Sequence, residues 1–431
     1  MFIREIDIEN FRCFDKFHVD FDRSCNVVIG SNGAGKSAFL ETVAAAVSAY
    51  LTGFDGQSYF HVCKSDIRKN RRLINQVIDE QYSLPLRISA SGVIAGQEFP
   101  EDEWTLELRN SAGRTSHRGI QKITGYVSGI QDAVRKGNAD IILPVISYYS
   151  TARLWKTKEK RRSAEHKSFM RQNGYLDCMA VETDIEKLFH YLRTRTLYKV
   201  QTGNNPVDLV CVLNAIRESI TDEFISGKLR EVWFNLSEDS LEFTLEDGTV
   251  LPYSYFSDGF KVVIGLVADI AYRMSVLNPN LGDRVLSETP GVVIIDEIDL
   301  HLHPRWQSEI MGILTRIFPS VQFIVSSHSP SVISSVKKEN IIELKYGEPV
   351  PVKQEYEVYG NDASTILKAV MNAGERPARV TEMFREAESF LDNGEYEKCR
   401  VVLGKIASEI GEYDSELNRL RMELEFESSQ I

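Results

Sequence analysis

No C-x-x-C pair occurs among the six cysteines (Cys13, Cys25, Cys63, Cys178, Cys211 and Cys399), so neither a zinc ribbon nor a secreted disulfide framework is expected. A reducing, cytoplasmic compartment fits that usage. The stretch MFIREIDIENFRCF alternates charged and apolar residues without the apolar centre of a secretory leader, and the most apolar helix-like stretch, VVIGLVADIAYRMSVL, is interrupted by Asp269 and Arg273. No membrane span is expected. Positive charge is also short: 50 Lys and Arg stand against 62 Asp and Glu, a formal net charge of −12, so contact with nucleic acid needs a local basic patch or a partner. RKNRR at 68–72 and KTKEKRR at 156–162 qualify as patches, but neither interleaves stacking aromatics, and a solvated face is the plainer reading of both. Repeats of fixed period and low-complexity tracts are missing too. What remains, 43% hydrophobic and 26% charged residues over a chain of 431, is the composition of a globular protein of two or three units.

Residues 1–30 alternate as strands do, and CNVVIG reads as a buried strand that feeds SNGAGKS and the helical SAFLETVAAAVSAYL. Gly30-Ser31-Asn32-Gly33-Ala34-Gly35-Lys36-Ser37 matches G-x-x-x-x-G-K-[ST] in that strand-loop-helix context. Glycines let consecutive backbone N–H groups turn inward around a phosphate. Lys36 then bridges β and γ oxygens of ATP, and Ser37 holds Mg²⁺.

Residues 292–307, VVIIDEIDLHLHPRWQ, form a greasy run that stops at two adjacent acids and then offers two histidines. Those residue types suit zinc or iron, but His301 and His303 are spaced i, i+2 and no third ligand follows them. The acids have other work. A parallel strand buried on both faces reads as continuous aliphatics, and its C-terminal end opens on the same edge as the phosphate loop. Asp296 then accepts from a Mg²⁺ water, and Glu297 polarises the water that attacks the γ-phosphate. QFIVSSHS is a further strand of this type, with His328 placed to hydrogen-bond a γ-phosphate oxygen. Ser257 or Asp258 caps the helix that opens at Ser257-Asp258-Gly259-Phe260-Lys261, a small polar cap with a glycine at a helix N-terminus.

The order phosphate loop, S-D-G-F-K, D-E, His resembles that of the ABC-type ATPases, in their RecF-like and SMC-like branch, and the likeness covers residues 1–110 and 230–340. It implies an α/β fold: an ABC-ATPase head with a phosphate-loop parallel sheet, an antiparallel β subdomain, a helical lobe and a C-terminal helical hairpin. In that family two heads sandwich two nucleotides, and the signature serine and glycine, here Ser257 and Gly259, reach the γ-phosphate held by the opposite subunit. The segment after the paired acids, including Asp299 in D-L-H-L-H-P, would cross the dimer interface. Asn10-Phe11-Arg12 resembles the branch's N-terminal pattern, in which the arginine lies near the nucleotide; a structural ion pair is the alternative. One departure concerns the glutamine that transporter-type heads carry between phosphate loop and signature. PVISYYSTARLW ends without it, and Ser150, Thr151 or Arg153 is the expected replacement.

The chain from Lys36 to Ser257 is longer than a transporter head needs and far too short for a long coiled coil. YYSTARLW, FSDGFK, DEIDLHLHP, SSHSP and the helical tail together resemble the ATPase subunits of Septu anti-phage systems, also found as retron accessory proteins. The resemblance implies a homodimer or higher homo-oligomer that controls a separate HNH-type nuclease subunit, with a reverse transcriptase and its msDNA, or other nucleic acid, as further partners in the retron setting. Two other readings stay open: the ATPase of PARIS defence, paired with another nuclease, and a RecF-like repair clamp that binds DNA without one. No nuclease activity of its own is expected, since the tail has no D-x-D cluster and no HNH pattern occurs. The expected organisation is a first ATPase lobe with the antiparallel subdomain over 1–150, a helical insertion over 151–230, a second lobe over 231–345 and a helical tail over 346–431. In the tail, Phe384, Ala387 and Leu391, then Tyr396, Cys399, Leu403, Ile406 and Ile410, step by three and four, with Leu417, Leu420 and Leu424 marking a third helix. Such a face must be buried, against the head, a second copy or the nuclease.

Overall fold

The computed structural model describes residues 1–57, 59–74, 77–94, 97–111, 116, 118–151, 170–179, 185–220, 227–352, 354–370 and 376–428. KTKEKRR and Arg153 lie outside them. In chain order the first part comprises β1 (Phe2–Phe11), β2 (Phe14–Asp20), β3 (Cys25–Ile29), α1 (Lys36–Ser48), β4 (Lys69–Ile74), β5 (Val77–Tyr82), β6 (Leu86–Ile94), β7 (Gln97–Leu108), α2 (Gln121–Arg135) and β8 (Val145–Tyr149). There follow α3 (Ile185–Thr202), α4 (Val207–Ser219), β9 (Leu229–Asn235), β10 (Ser240–Leu245), β11 (Val250–Pro252), α5 (Asp258–Leu277), α6 (Val285–Glu288), β12 (Gly291–Ile295), α7 (Pro304–Ile317), β13 (Val321–Ser326), α8 (Pro330–Ile333) and β14 (Ile341–Glu343).

Every residue of β3, β8, β12 and β13 is buried, in keeping with their largely apolar character, and with β14 they form a parallel sheet in the order β14-β3-β13-β12-β8. That order gathers the sequence motifs. The strands that end in the phosphate loop, the histidine and the paired acids (β3, β13, β12) are immediate neighbours pointing the same way, so their C-terminal ends share one edge. A four-stranded antiparallel sheet, β2-β1-β6-β7, and a three-stranded one, β11-β10-β9, complete the layers of an ABC-type head. Buried Gln322 ties the first of these to the core: its Oε1 accepts from Ile3 N at 2.8 Å, and its Nε2 donates to the carbonyls of Ile3 and Asp22, both at 2.8 Å. RKNRR, read as a solvated face, lies largely in a strand pair, where Lys69 and Arg71 both bridge to Glu80. Among the described residues no helix is long and apolar enough to cross a membrane.

Contacts divide the chain into a unit of Met1–Asp362 and a unit of Ala363–Ile431. The second holds α9 (Ala363–Ala369), α10 (Ala378–Asp392), α11 (Tyr396–Ile410) and α12 (Ser415–Ser428). The apolar stripe of the hairpin closes within this unit: Phe384, Ala387, Leu391, Cys399, Leu403 and Ile406 share a core with Leu417, Leu420 and Leu424 of α12. Asp414 holds the third helix in place. Its Oδ1 accepts from Glu416 N and Leu417 N at 3.1 and 3.0 Å, capping α12, while Arg376 binds both its oxygens at 2.8 and 3.0 Å. The Arg376 hydrogen bonds hold the Asp414 carboxyl below its usual range. A depressed carboxylate stabilises the fold above the unfolded pKa, about 3.9, and that contribution vanishes as pH falls through the folded value. Asp414→Ala is therefore expected to weaken amide protection across α12 by about 1–2 kcal/mol at pH 7. Hydrogen exchange should show the difference from wild type shrinking below pH ~4.

Candidate nucleotide site

The loop after β3 has a backbone that only glycine adopts without strain: Gly30, Gly33 and Gly35 have φ of +148°, +84° and +98°. Space is as tight as conformation. A Cβ on Gly30 would lie 2.5 Å from the Leu344 carbonyl oxygen, and one on Gly35 would lie 2.5 Å from Cys13 Sγ, so the loop is wedged between the exit of β14 and the β1–β2 turn. Gly35 offers no side chain to cap α1, which leaves the first-turn N–H groups as an anion cradle. Asn32 and Ser37 are exposed on this loop and first turn. Lys36 is buried and folds back, its Nζ donating to Gly30 O at 2.9 Å and Ser31 O at 3.4 Å. Burial lowers its pKa, against the opposing pull of Asp296, Glu297 and Asp299. One ammonium thus feels all three acids.

Those acids are fixed by backbone and by serines. Asp296 N donates to Tyr149 O at 2.8 Å, which extends the β12–β8 ladder by one bond and buries the Asp296 side chain. Glu297 turns away at φ +47°, a left-handed conformation rare outside glycine. Its N–H donates to Ser326 Oγ at 2.7 Å, and the same hydroxyl donates to Asp296 Oδ1 at 2.5 Å. Asp299 accepts from Ser327 Oγ at 2.7 Å and from His328 N at 3.3 Å, so within this chain it registers the histidine loop against the acids. Gln307 completes the lacing: its Oε1 accepts from Ser329 Oγ at 2.7 Å, and its Nε2 donates to Leu302 O at 2.9 Å. The roles of the serines and of Gln307 were not read in advance: the run SSHS beside QFIV shows no period and no recognisable spacing.

Ser257 caps α5, accepting from Phe260 N at 3.5 Å. Gly259 packs so closely on the loop after the acids that a Cβ would sit 2.5 Å from His301 O. His303, half of the H-x-H pair, accepts from Arg305 N at 3.4 Å through Nδ1 and so caps α7, ahead of Pro304. Ser257, Gly259, His301, His303, Arg305 and Trp306 line an open cleft of about 720 Å³, with no phosphate-loop residue on its wall.

Arg12 sits at φ +45° in the β1–β2 turn and is paired, with Asp66 at 2.8 Å and with Glu41. Burial raises the Glu41 pKa, Arg12 opposes that rise, and Asp296 adds to it. Ser150 is buried directly after β8, next to the start of the Asp296 segment. Farther back on β8, Tyr149 Oη donates to Asp269 Oδ2 of α5 at 2.6 Å, and the same oxygen accepts from Arg273 Nε at 2.8 Å. Arg273 Nη1 also caps the carbonyls of Gly174 and Leu176, both at 3.0 Å.

A family model described as "AAA domain, putative AbiEii toxin, Type IV TA system" matches residues 25–334. Among curated proteins, "Retron Ec83 probable ATPase" of Escherichia coli is 24% identical over 98% of this chain and 86% of its own length. "Septu protein PtuA" of Bacillus thuringiensis is 22% identical, covering 92% of this chain and 91% of its own. Among solved structures, an SMC head bound to the C-terminal winged-helix domain of ScpA aligns with a TM-score of 0.47 at 15% identity, over 81% of this chain and 96% of that one.

Proposed function

The chain belongs to the AAA-domain family that matches residues 25–334, and from that premise we propose an ABC-type ATPase of anti-phage defence that closes as a dimer around ATP and controls a separate nuclease. The observation that carries the ATPase reading is the strand order β3-β13-β12, which gathers Lys36, His328, Asp296 and Glu297 on one edge. Mg²⁺, when bound, would neutralise charge on the β and γ oxygens, and Ser37 and Asp296 are the residues that would hold it. The glycine cradle and the uncapped start of α1 receive the phosphates, with Asn32 on the rim. Lys36 exchanges its loop carbonyls for phosphate oxygens. Glu297 orients and deprotonates the attacking water, and His328 donates to a γ oxygen.

Dimerisation is supported by the cleft that Ser257 and Gly259 line, whose wall carries no phosphate-loop residue; in the proposed sandwich a second copy brings such a cleft to the nucleotide. Arg12, Asp299 and one of Ser150, Thr151 or Arg153 are assigned nearby supporting roles. The names of the retron and Septu relatives support a defence setting, in which the proposed companions are an HNH-type nuclease or, in the retron case, a reverse transcriptase. Purified protein with ATP and Mg²⁺ is expected to release phosphate and to sediment as a dimer or larger. Monomers at every nucleotide condition, at micromolar concentration, would rule out the sandwich.

A further inference from the structure

Ser326 ends β13 with no exposed surface, and its hydroxyl lies between the two acids. It donates to Asp296 Oδ1 at 2.5 Å and accepts from Glu297 N at 2.7 Å, while the carbonyl of the same residue accepts from Ile298 N at 2.9 Å. Glu297 needs such support. A side-chain-bearing residue at φ +47° is strained by about 1–3 kcal/mol and persists only where its surroundings over-determine it. Here the residue on one strand grips the backbone on both sides of that strained position on the next.

A hydroxyl donates and accepts at once. Alanine can do neither, whereas threonine keeps the group and adds a methyl. We propose that Ser326 is a positioning residue for ATP hydrolysis: its one hydroxyl sets the carboxylate plane of Asp296 and the backbone from which Glu297 projects. The proposal rests on the ATPase reading above. Ser327 and Ser329 extend the same device, bonding Asp299 and Gln307 at 2.7 Å each, so the strand carrying His328 is laced to the acid segment by three serines. The relative placement of metal-side acid, water-side acid and histidine is therefore set by hydroxyls that touch no substrate.

The test compares Ser326→Ala and Ser326→Thr with wild type in steady-state ATP hydrolysis at varied Mg²⁺, alongside thermal melting. Removing an orienting hydrogen bond behind a metal-side carboxylate typically costs 10–100-fold, so Ser326→Ala should lower kcat by about that factor and raise the Mg²⁺ concentration for half-maximal rate about tenfold. KM for ATP should move by less than about threefold, since Ser326 contributes no uniform binding. Ser326→Thr should restore both kcat and the Mg²⁺ dependence. A merely structural serine predicts something else: a lower melting temperature, with any loss of rate leaving the Mg²⁺ dependence unchanged. That outcome, or an unaltered kcat in Ser326→Ala, overturns the proposal. Lys36→Ala and wild type run in parallel test the reading beneath it. If wild type binds ATP but releases no phosphate, the hydrolysis reading fails, and Mn²⁺ binding to the ATP complex, followed by electron paramagnetic resonance, decides Ser326: equal affinity in wild type and Ser326→Ala overturns the assignment. If wild type binds no ATP, both fall together.

Discussion

Lys36→Ala is expected to abolish detectable ATP binding while leaving the protein folded. The side chain is buried, yet among the described residues its ammonium donates to the carbonyls of the loop it serves, so removing it takes away no hydrogen bond between separate layers of the head. What it removes is a cation that feels Asp296, Glu297 and Asp299 together, acids whose charges otherwise repel an incoming polyphosphate. Losing two charge-assisted hydrogen bonds weakens binding by about 3 kcal/mol or more, on the order of a hundredfold in Kd or greater. Titration with a fluorescent ATP analogue measures this directly. Binding by a folded Lys36→Ala protein at wild-type affinity would remove the nucleotide assignment from this loop.

Glu297→Gln separates binding from chemistry. The amide has the same shape and leaves the φ +47° backbone to its hydrogen bonds with Ser326, but it cannot take a proton from water. Hydrolysis should fall by about 10²–10⁴-fold, the usual worth of a general base. ATP binding should persist, and the closed dimer should outlast that of wild type in sedimentation. Phosphate release within about threefold of wild type would mean that another group activates the water.

Much of this site could be read before any coordinates, and the reason is physical. Strands buried on both faces are mostly apolar, so VVII and QFIV stood out, and glycine-rich loops followed by lysine have few other uses. The tail helices were legible for a similar reason, a stripe stepping by three and four. Its destination was not, because periodicity shows that a face is buried and is silent about what buries it; here α12 does so. RKNRR hid a strand because charges alternate with nothing apolar there; it pairs antiparallel with β5, and Lys69 and Arg71 both reach across to Glu80. The serine lacing was invisible: a hydroxyl's partners are set by which strands become neighbours, and only the order β3-β13-β12 puts Ser326 beside Asp296. Arg12 shows the same limit, since the turn motif was visible and its partners Glu41 and Asp66 were not.

The triad of Tyr149, Asp269 and Arg273 gives α5 a fulcrum. The helix has 20 residues, about 30 Å end to end at 1.5 Å per residue, with the signature turn at its tip and the buried ion pair near two-thirds of its length. Tilting such a rod by 10° about that point swings the tip by about 3 Å, the span of one hydrogen bond. The pivot itself resists slipping, because pulling Asp269 from Arg273 leaves an uncompensated charge in the interior. Any tilt of α5 would thus turn about a point that β8 and the carbonyls at Gly174 and Leu176 hold by hydrogen bonds, and Ser257, at the far end, would travel farthest.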